Sequence, residues 1–133
     1  MIKKTIEYTD YNGKERKEGF YFNLSKAELI EMDYSQNGGL DRLLNRIIET
    51  DDSAKQMAIF KDIIQKSYGV KSLDGKQFIK NEQVLNEFVQ SEAYVNLFME
   101  LCTDANAAAE FIRGVVPADI ASQIRETEIS VND

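Results

Sequence analysis

The stretch of the sequence that most suggests chemistry is DYSQNGGLDRLL, which has the length of a calcium-binding loop between two helices. Asp33, Ser35 and Asn37 place oxygen-bearing side chains at the first, third and fifth positions of such a loop. The twelfth position must supply a bidentate glutamate, and here it is Leu44. We therefore interpret the segment as a helix-to-helix loop with glycines at a sharp turn, and we predict no tight metal binding.

Two other groups of residues have the right chemistry but the wrong surroundings. Asp51 and Asp52, with Glu49 beside them, form a carboxylate cluster. They directly precede a predicted helix, where aspartates cap the first turn and interact favourably with the positive end of the helix dipole. Cys102 follows Leu101 on an apolar face, and the chain has no histidine to activate a thiol. We predict no catalytic, cofactor-binding or metal-binding residue, and hence no enzyme.

Composition narrows the class of protein further. The chain has 133 residues and a formal net charge of -7, which repels phosphate backbones and argues against nucleic-acid binding. No stretch approaches the roughly 18 apolar residues that a membrane span needs, and the first residues lack the apolar core of a signal peptide. A lone cysteine forms no intramolecular disulfide. We expect a cytoplasmic protein with one folded core.

The N-terminal segment predicts a β-hairpin. Apolar residues alternate from Ile2 to Tyr8 and again from Phe20 to Leu24, as in half-buried strands. A two-residue Asn-Gly loop would put the two apolar faces on opposite sides, whereas a three-residue loop with left-handed Gly13 aligns them. The predicted partners are Ile2 with Phe22, Glu7 with Lys17, Tyr8 with Arg16, and Asp10 with Lys14.

Charged and aromatic residues of this hairpin allow functional interpretations as well. The basic run Lys14, Arg16 and Lys17 is interrupted by glutamates, and we interpret it as a solvated strand rather than a patch for an acidic partner. Aromatic residues on the ribbon could stack nucleic-acid bases, but the acidic total favours a core; they are Tyr8, Tyr11, Phe20, Tyr21 and Phe22. Open strand edges predict self-association, unless the charges at Lys14, Arg16 and Glu18 protect them.

The rest of the chain predicts helices. Ser25 and Glu28 form a capping box directly after the ribbon, so ribbon and helix are expected to share a core. Asp74-Gly75 indicates a small second hairpin near 71–79. Four predicted helical segments carry apolar stripes. The first has Leu40, Leu43, Leu44, Ile47 and Ile48, and the second, which ends at Tyr68-Gly69, has Met57, Phe60, Ile63 and Ile64. The third starts from Asn81 and has Val84, Leu85, Phe88, Val89, Tyr94, Leu97, Phe98 and Leu101, and the fourth, capped by Asp104, has Ala108, Phe111, Ile112 and Val115.

The expected fold class is mainly α with an N-terminal β-hairpin, an α+β domain in which a small helical body packs on a short antiparallel ribbon. One domain is predicted over 1–124, with the hairpin in 1–24 and the helical body in 25–124. Pro117 is expected to open a last turn of helix over Ile120 and Ile124. Residues 125–133 are expected to form a frayed polar tail.

Two stretches of the chain, Phe20 to Met32 and Ser72 to Pro117, resemble the tail assembly chaperones of long-tailed phages and prophages. The family has no catalytic signature, so the resemblance depends on the order and spacing of short patterns. These are F-x-L-[ST]-K-x-E-L at Phe22 to Leu29, DGK-x-F-x-K at Asp74 to Lys80, EAY-x-x-LF-x-EL at Glu92 to Leu101, and FI-x-GVVP at Phe111 to Pro117.

The resemblance implies a small cytoplasmic protein that binds the tape measure protein, keeps it soluble during tail assembly and is absent from the mature virion. The tail-tube protein is a further expected partner, and self-association is expected from the open strand edges rather than from the resemblance. The alternative is a structural virion component, such as a tail-completion or head-to-tail joining protein.

With the resemblance included, we expect a groove between two helical stripes to accept apolar faces of the tape measure protein, with Phe98 and Phe111 as anchors. The alternative is that both stripes are wholly core. The candidate partner-binding residues are Tyr94, Leu97, Phe98, Leu101, Phe111, Ile112 and Val115.

Overall fold

The computed structural model describes residues 1–31 and 53–117. The strands are β1 (Ile2–Thr9), β2 (Glu15–Phe22), β3 (Tyr68–Lys71) and β4 (Phe78–Ile79), and the helices are α1 (Lys26–Glu31), α2 (Ser53–Ser67), α3 (Glu82–Val89), α4 (Glu92–Thr103) and α5 (Ala105–Val115). An antiparallel hairpin followed by helices confirms the predicted α+β class. The predicted helix over Leu40 to Ile48, the loop from Asp33 to Leu44, Asp51, Asp52 and everything after Pro117 lie outside the described residues.

The N-terminal hairpin has the predicted register. Ile2 pairs with Phe22, Glu7 with Lys17, and Tyr8 with Arg16. The loop Tyr11 to Gly13 is closed by Asp10 and Lys14, whose backbones are joined by a 2.9 Å hydrogen bond. Gly13 has φ of 81°, which is the left-handed conformation that the even-to-even pairing requires.

The basic run of β2 is a solvated strand, as interpreted from the sequence. Lys14, Arg16 and Lys17 are all exposed. The Arg16 guanidinium donates to a carboxylate oxygen of Asp10 at 2.6 Å, and this hydrogen bond is the main reason that the pKa of Asp10 lies below its ordinary value. The positive charge of Arg16 is therefore engaged locally, by Asp10 of the same hairpin.

Both predicted hairpins are present, the second as β3 and β4 with Lys71 opposite Phe78, and they join into one four-stranded antiparallel sheet. Its strand order is β1-β2-β3-β4, because Tyr21 pairs with Gly69 and Phe22 with Tyr68. Tyr68-Gly69 was expected only to end a helix, and it also begins β3. The residues of each pair are far apart in sequence, so no local sequence pattern predicts the pairing of β2 with β3.

The hydrophobic core lies between the inner face of the sheet and the helices. At its centre Phe22 is fully buried and meets Phe111 edge-on, with ring centroids 5.1 Å apart. Tyr68 stacks on Phe88 at 4.2 Å. Phe20 and Phe22 are thus core residues and do not form an exposed base-stacking surface.

The capping box predicted at the start of α1 is present and is extended by a lysine from the second hairpin. The Ser25 backbone N–H donates to Glu28 Oε1 at 2.9 Å, and the Glu28 N–H donates to Ser25 Oγ at 3.1 Å. Lys80 Nζ lies within hydrogen-bonding distance of both Glu28 carboxylate oxygens, at 2.8 and 2.6 Å, and of the carbonyl oxygens of Asn23 and Lys66, so its three N–H groups are shared among four acceptors. We call this arrangement the Lys80 clip; it joins the ends of β2, α1, α2 and β4.

Candidate functional site

The predicted partner-binding residues lie on α4 and α5, two helices that follow one another with a single residue between them. The helical run predicted from Asn81 is divided at Ser91, whose hydroxyl caps α4 by accepting from the Tyr94 N–H. Asp104 ends α4 and also caps α5, since its carboxylate accepts from the N–H groups of Asn106 and Ala107 at 3.0 and 3.1 Å. The backbone of Asp104 is extended and separates the two helices, and both contribute residues to one core.

The structure separates the seven candidate residues into two groups. Five are buried: Leu97, Leu101, Phe111, Ile112 and Val115. Phe111, expected to be an anchor, is only 1% exposed, so it cannot be reached by a partner in this conformation. Tyr94 and Phe98 are half-buried and pack against the core. A binding role for any of the seven stays a prediction, and only this pair is accessible.

Tyr94 and Phe98 belong to a continuous apolar surface on α4. Successive positions around the helix carry Tyr94, Val95, Phe98, Met99 and Cys102, which we call the α4 strip. Val95 and Met99 are 42% and 49% exposed. The sequence-based stripe did not include these two residues, because they lie beside the residues that face the core. The signal that identifies them is their own i, i+4 spacing next to Tyr94 and Phe98.

The opposite flank of α4 is attached to the sheet. The Asn96 side chain donates to the carbonyl oxygen of Glu7 at 3.0 Å, and Lys4 forms a 3.0 Å ion pair with Glu100. Asn96 thereby occupies part of the β1 edge that was expected to be open, and self-association stays a prediction. Gln65 of α2 donates to the Tyr94 hydroxyl at 3.3 Å. These contacts hold α4 in place, and Val95 and Met99 are the members of the α4 strip that stay exposed.

Chemistry requiring a metal or a nucleophile has little support in the described part of the chain. Residues 1–31 and 53–117 contain no group of three or more His, Cys, Asp or Glu residues arranged to hold a metal ion. Burial raises the pKa of the Cys102 thiol, which disfavours the reactive thiolate. Among the same residues, no helix has the length and apolar character to cross a membrane.

The accessible apolar face of α4 is a surface of the kind that packs against another protein chain. A family model described as phage tail assembly chaperone matches residues 1–133, and the chain belongs to this family. Membership of a chaperone family indicates a non-catalytic role. Neither a curated protein nor a solved structure matches the chain.

Proposed function

We propose that this tail assembly chaperone binds amphipathic helices of the tape measure protein through the α4 strip and keeps that protein soluble during tail assembly. The observation that carries the proposal is the exposure of Val95 and Met99 beside Tyr94 and Phe98, in a chain that belongs to the chaperone family over its whole length. In this proposal the chaperone works in the host cytoplasm and dissociates from the tape measure protein before the mature tail forms.

The chemistry of the α4 strip suits such a partner. A long amphipathic helix aggregates when its apolar face meets water, and an apolar helix face of the chaperone can cover it at i, i+3 and i+4 positions. Met99 has a flexible, polarisable side chain that adapts to different apolar neighbours. The chaperone must cover many segments of one partner, so an adaptable surface is more useful than a single deep pocket.

Co-expression with the tape measure protein tests the proposal. In the double variant Val95→Glu/Met99→Glu, charge replaces two exposed side chains, so we expect soluble tape measure protein to fall by at least about tenfold while the chaperone keeps its fold. The control is Leu73→Glu, which adds charge at a fully exposed leucine of the second hairpin. Undiminished solubilisation by the double variant would refute a role for the α4 strip.

Purified particles test the localisation. Mass spectrometry should find the protein abundant in infected cells and absent from mature virions. Stoichiometric recovery from virions would instead support the structural component considered from the sequence.

A further inference from the structure

The sheet has a second face, directed away from the helices, whose composition differs from the rest of the chain. Lys3 pairs with Tyr21, Tyr21 pairs with Gly69, and Lys71 pairs with Phe78, so their side chains share this face. We call it the outer face. Lys3 and Lys71 are exposed there, while Tyr21 and Phe78 are half-buried.

The two lysines of the outer face are held over one aromatic ring. The Lys71 ammonium lies 4.4 Å from the centroid of the Tyr21 ring, and the Lys3 ammonium lies 5.9 Å from it. Both distances lie within the range of cation–π attraction. Tyr21 therefore gathers two positive charges at one place on the sheet.

Glycines allow these side chains to lie flat on the sheet. A Cβ atom at Gly19 would come within 2.4 Å of Lys3 Cε, and a Cβ atom at Gly69 would come within 2.5 Å of Phe78 Cε2. Any larger residue at either position would push the lysine stem or the phenyl ring away from the sheet. The outer face is thus a flat surface of aromatic rings and the aliphatic parts of lysine side chains, with ammonium groups at its rim.

The charge of the outer face is opposite to that of the whole chain. The protein carries a net charge of -7, yet neither Lys3 nor Lys71 forms an ion pair with any of the described residues. Further along the strands, Glu7 is already engaged by Lys17 at 3.6 Å. Within residues 1–31 and 53–117 these two ammonium groups thus have no carboxylate, and an acidic partner could supply one to each.

We propose that the outer face binds an acidic protein segment, with carboxylates at Lys3 and Lys71 and the segment's backbone or apolar atoms over Tyr21 and Phe78. A nucleic acid fits less well, because it brings one phosphate charge per roughly 1.7 Å of duplex against an acidic protein with only two free ammonium groups here. This surface lies across the sheet from the helices, so the proposal does not depend on the α4 strip.

Fluorescence anisotropy at low ionic strength tests the proposal with a labelled peptide of alternating Glu and Ala residues. We expect saturable binding that Lys3→Gln/Lys71→Gln weakens by at least about fivefold, since two charge pairs are lost. The matched control, Lys14→Gln/Lys61→Gln, removes the same charge at exposed positions away from the outer face and should change affinity by less than about twofold. Tyr21→Leu should also weaken binding.

Three outcomes would overturn the proposal. One is absence of saturable binding by the unaltered protein. Another is equal weakening by the two double variants, which would mean that net charge alone controls binding. The third is preferential binding of a labelled oligothymidine over the acidic peptide, which would make the outer face a nucleic-acid surface. Thermal melts of every variant establish that each remains folded.

Discussion

Tyr21 and Phe22 are neighbours in sequence and lie on opposite faces of the same sheet. Phe22 is fully buried among the rings of Phe111, Phe88 and Tyr68. Tyr21 is half-buried and its ring is flanked by the ammonium groups of two lysines. Phe22 thus packs among aromatic rings of the core, whereas Tyr21 holds two ammonium groups at the surface.

The difference between the two faces separates stability from recognition. Burial of a large aromatic residue contributes several kcal/mol, whereas exposed cation–π contacts contribute about 0.5–1 kcal/mol. Changes on the inner face should therefore alter the free energy of unfolding strongly. Changes on the outer face should leave the fold intact and alter only binding.

The largest expected effect is at Phe22. Phe22→Ala would remove a ring from a close-packed core and is expected to lower the free energy of unfolding by about 3–5 kcal/mol. Tyr21→Ala, on the outer face, should cost about 1 kcal/mol or less. Urea denaturation measures both; if Phe22→Ala does not fold, Phe22→Leu should still cost about 1 kcal/mol. Equal costs at the two positions would contradict the assignment of the faces.

The Lys80 clip is expected to have the next largest effect, because it is a partly buried polar counterpart to the exposed lysines of the outer face. Lys80→Met keeps the stem but removes every hydrogen bond of the ammonium, at a cost of about 2 kcal/mol after allowance for partial exposure. The control is Lys76→Met, an exposed lysine in the same hairpin. A cost no greater than that of the control would show that the clip is unimportant.

The clip should also make stability depend on pH. Burial alone would raise the pKa of Glu28, but hydrogen bonds from Lys80 and from the Ser25 N–H outweigh it, and the pKa lies below its ordinary value of 4.5. Because the folded-state pKa is the lower one, the carboxylate contributes stability above about pH 4.5 and loses it as the pH falls through the folded-state pKa. The difference in unfolding free energy between the unaltered protein and Lys80→Met should shrink over that acid range and stay constant near pH 7.

Gly13 should show a smaller effect that is purely conformational. No atom lies within 4 Å of a Cβ built there, so replacement introduces backbone strain and no clash. Gly13→Val is expected to cost at least about 1 kcal/mol, whereas Gly13→Asn should cost much less because asparagine tolerates the left-handed region. Thermal denaturation of the two variants provides the measurement; identical melting temperatures would mean that the loop is not held in this conformation.

Local signals predicted the parts of the fold that are formed by neighbours in sequence. The hairpin register followed from the position of apolar side chains relative to Gly13, and the helix starts followed from Ser25, Asn81 and Asp104. The pairing of β2 with β3 was missed, because the two segments are separated by more than forty residues and only their tertiary packing brings Phe22 to Tyr68.

The accessible surface was predicted less well than the core, for a physical reason. Helical periodicity identifies apolar stripes, and the stripes that carry Leu97 and Phe111 are buried in the structure. It gives no indication of how much of a stripe the remainder of the domain covers, so the expected anchor at Phe111 is inaccessible. The contacts of Lys80 with its four acceptors also could not be predicted, because the acceptors belong to segments distant in sequence.

The smallest expected effect concerns Glu7 and Lys17, a cross-strand pair whose side chains are 75% and 69% exposed. Water screens this 3.6 Å ion pair, and two flexible side chains lose entropy in forming it, so their coupling should be below about 0.5 kcal/mol. A double-mutant cycle with Glu7→Gln and Lys17→Gln measures the coupling, which should vanish in high salt. A coupling as large as the cost of Lys80→Met would mean that an exposed ion pair contributes as much as the partly buried Lys80 clip, which would contradict the expected screening by water.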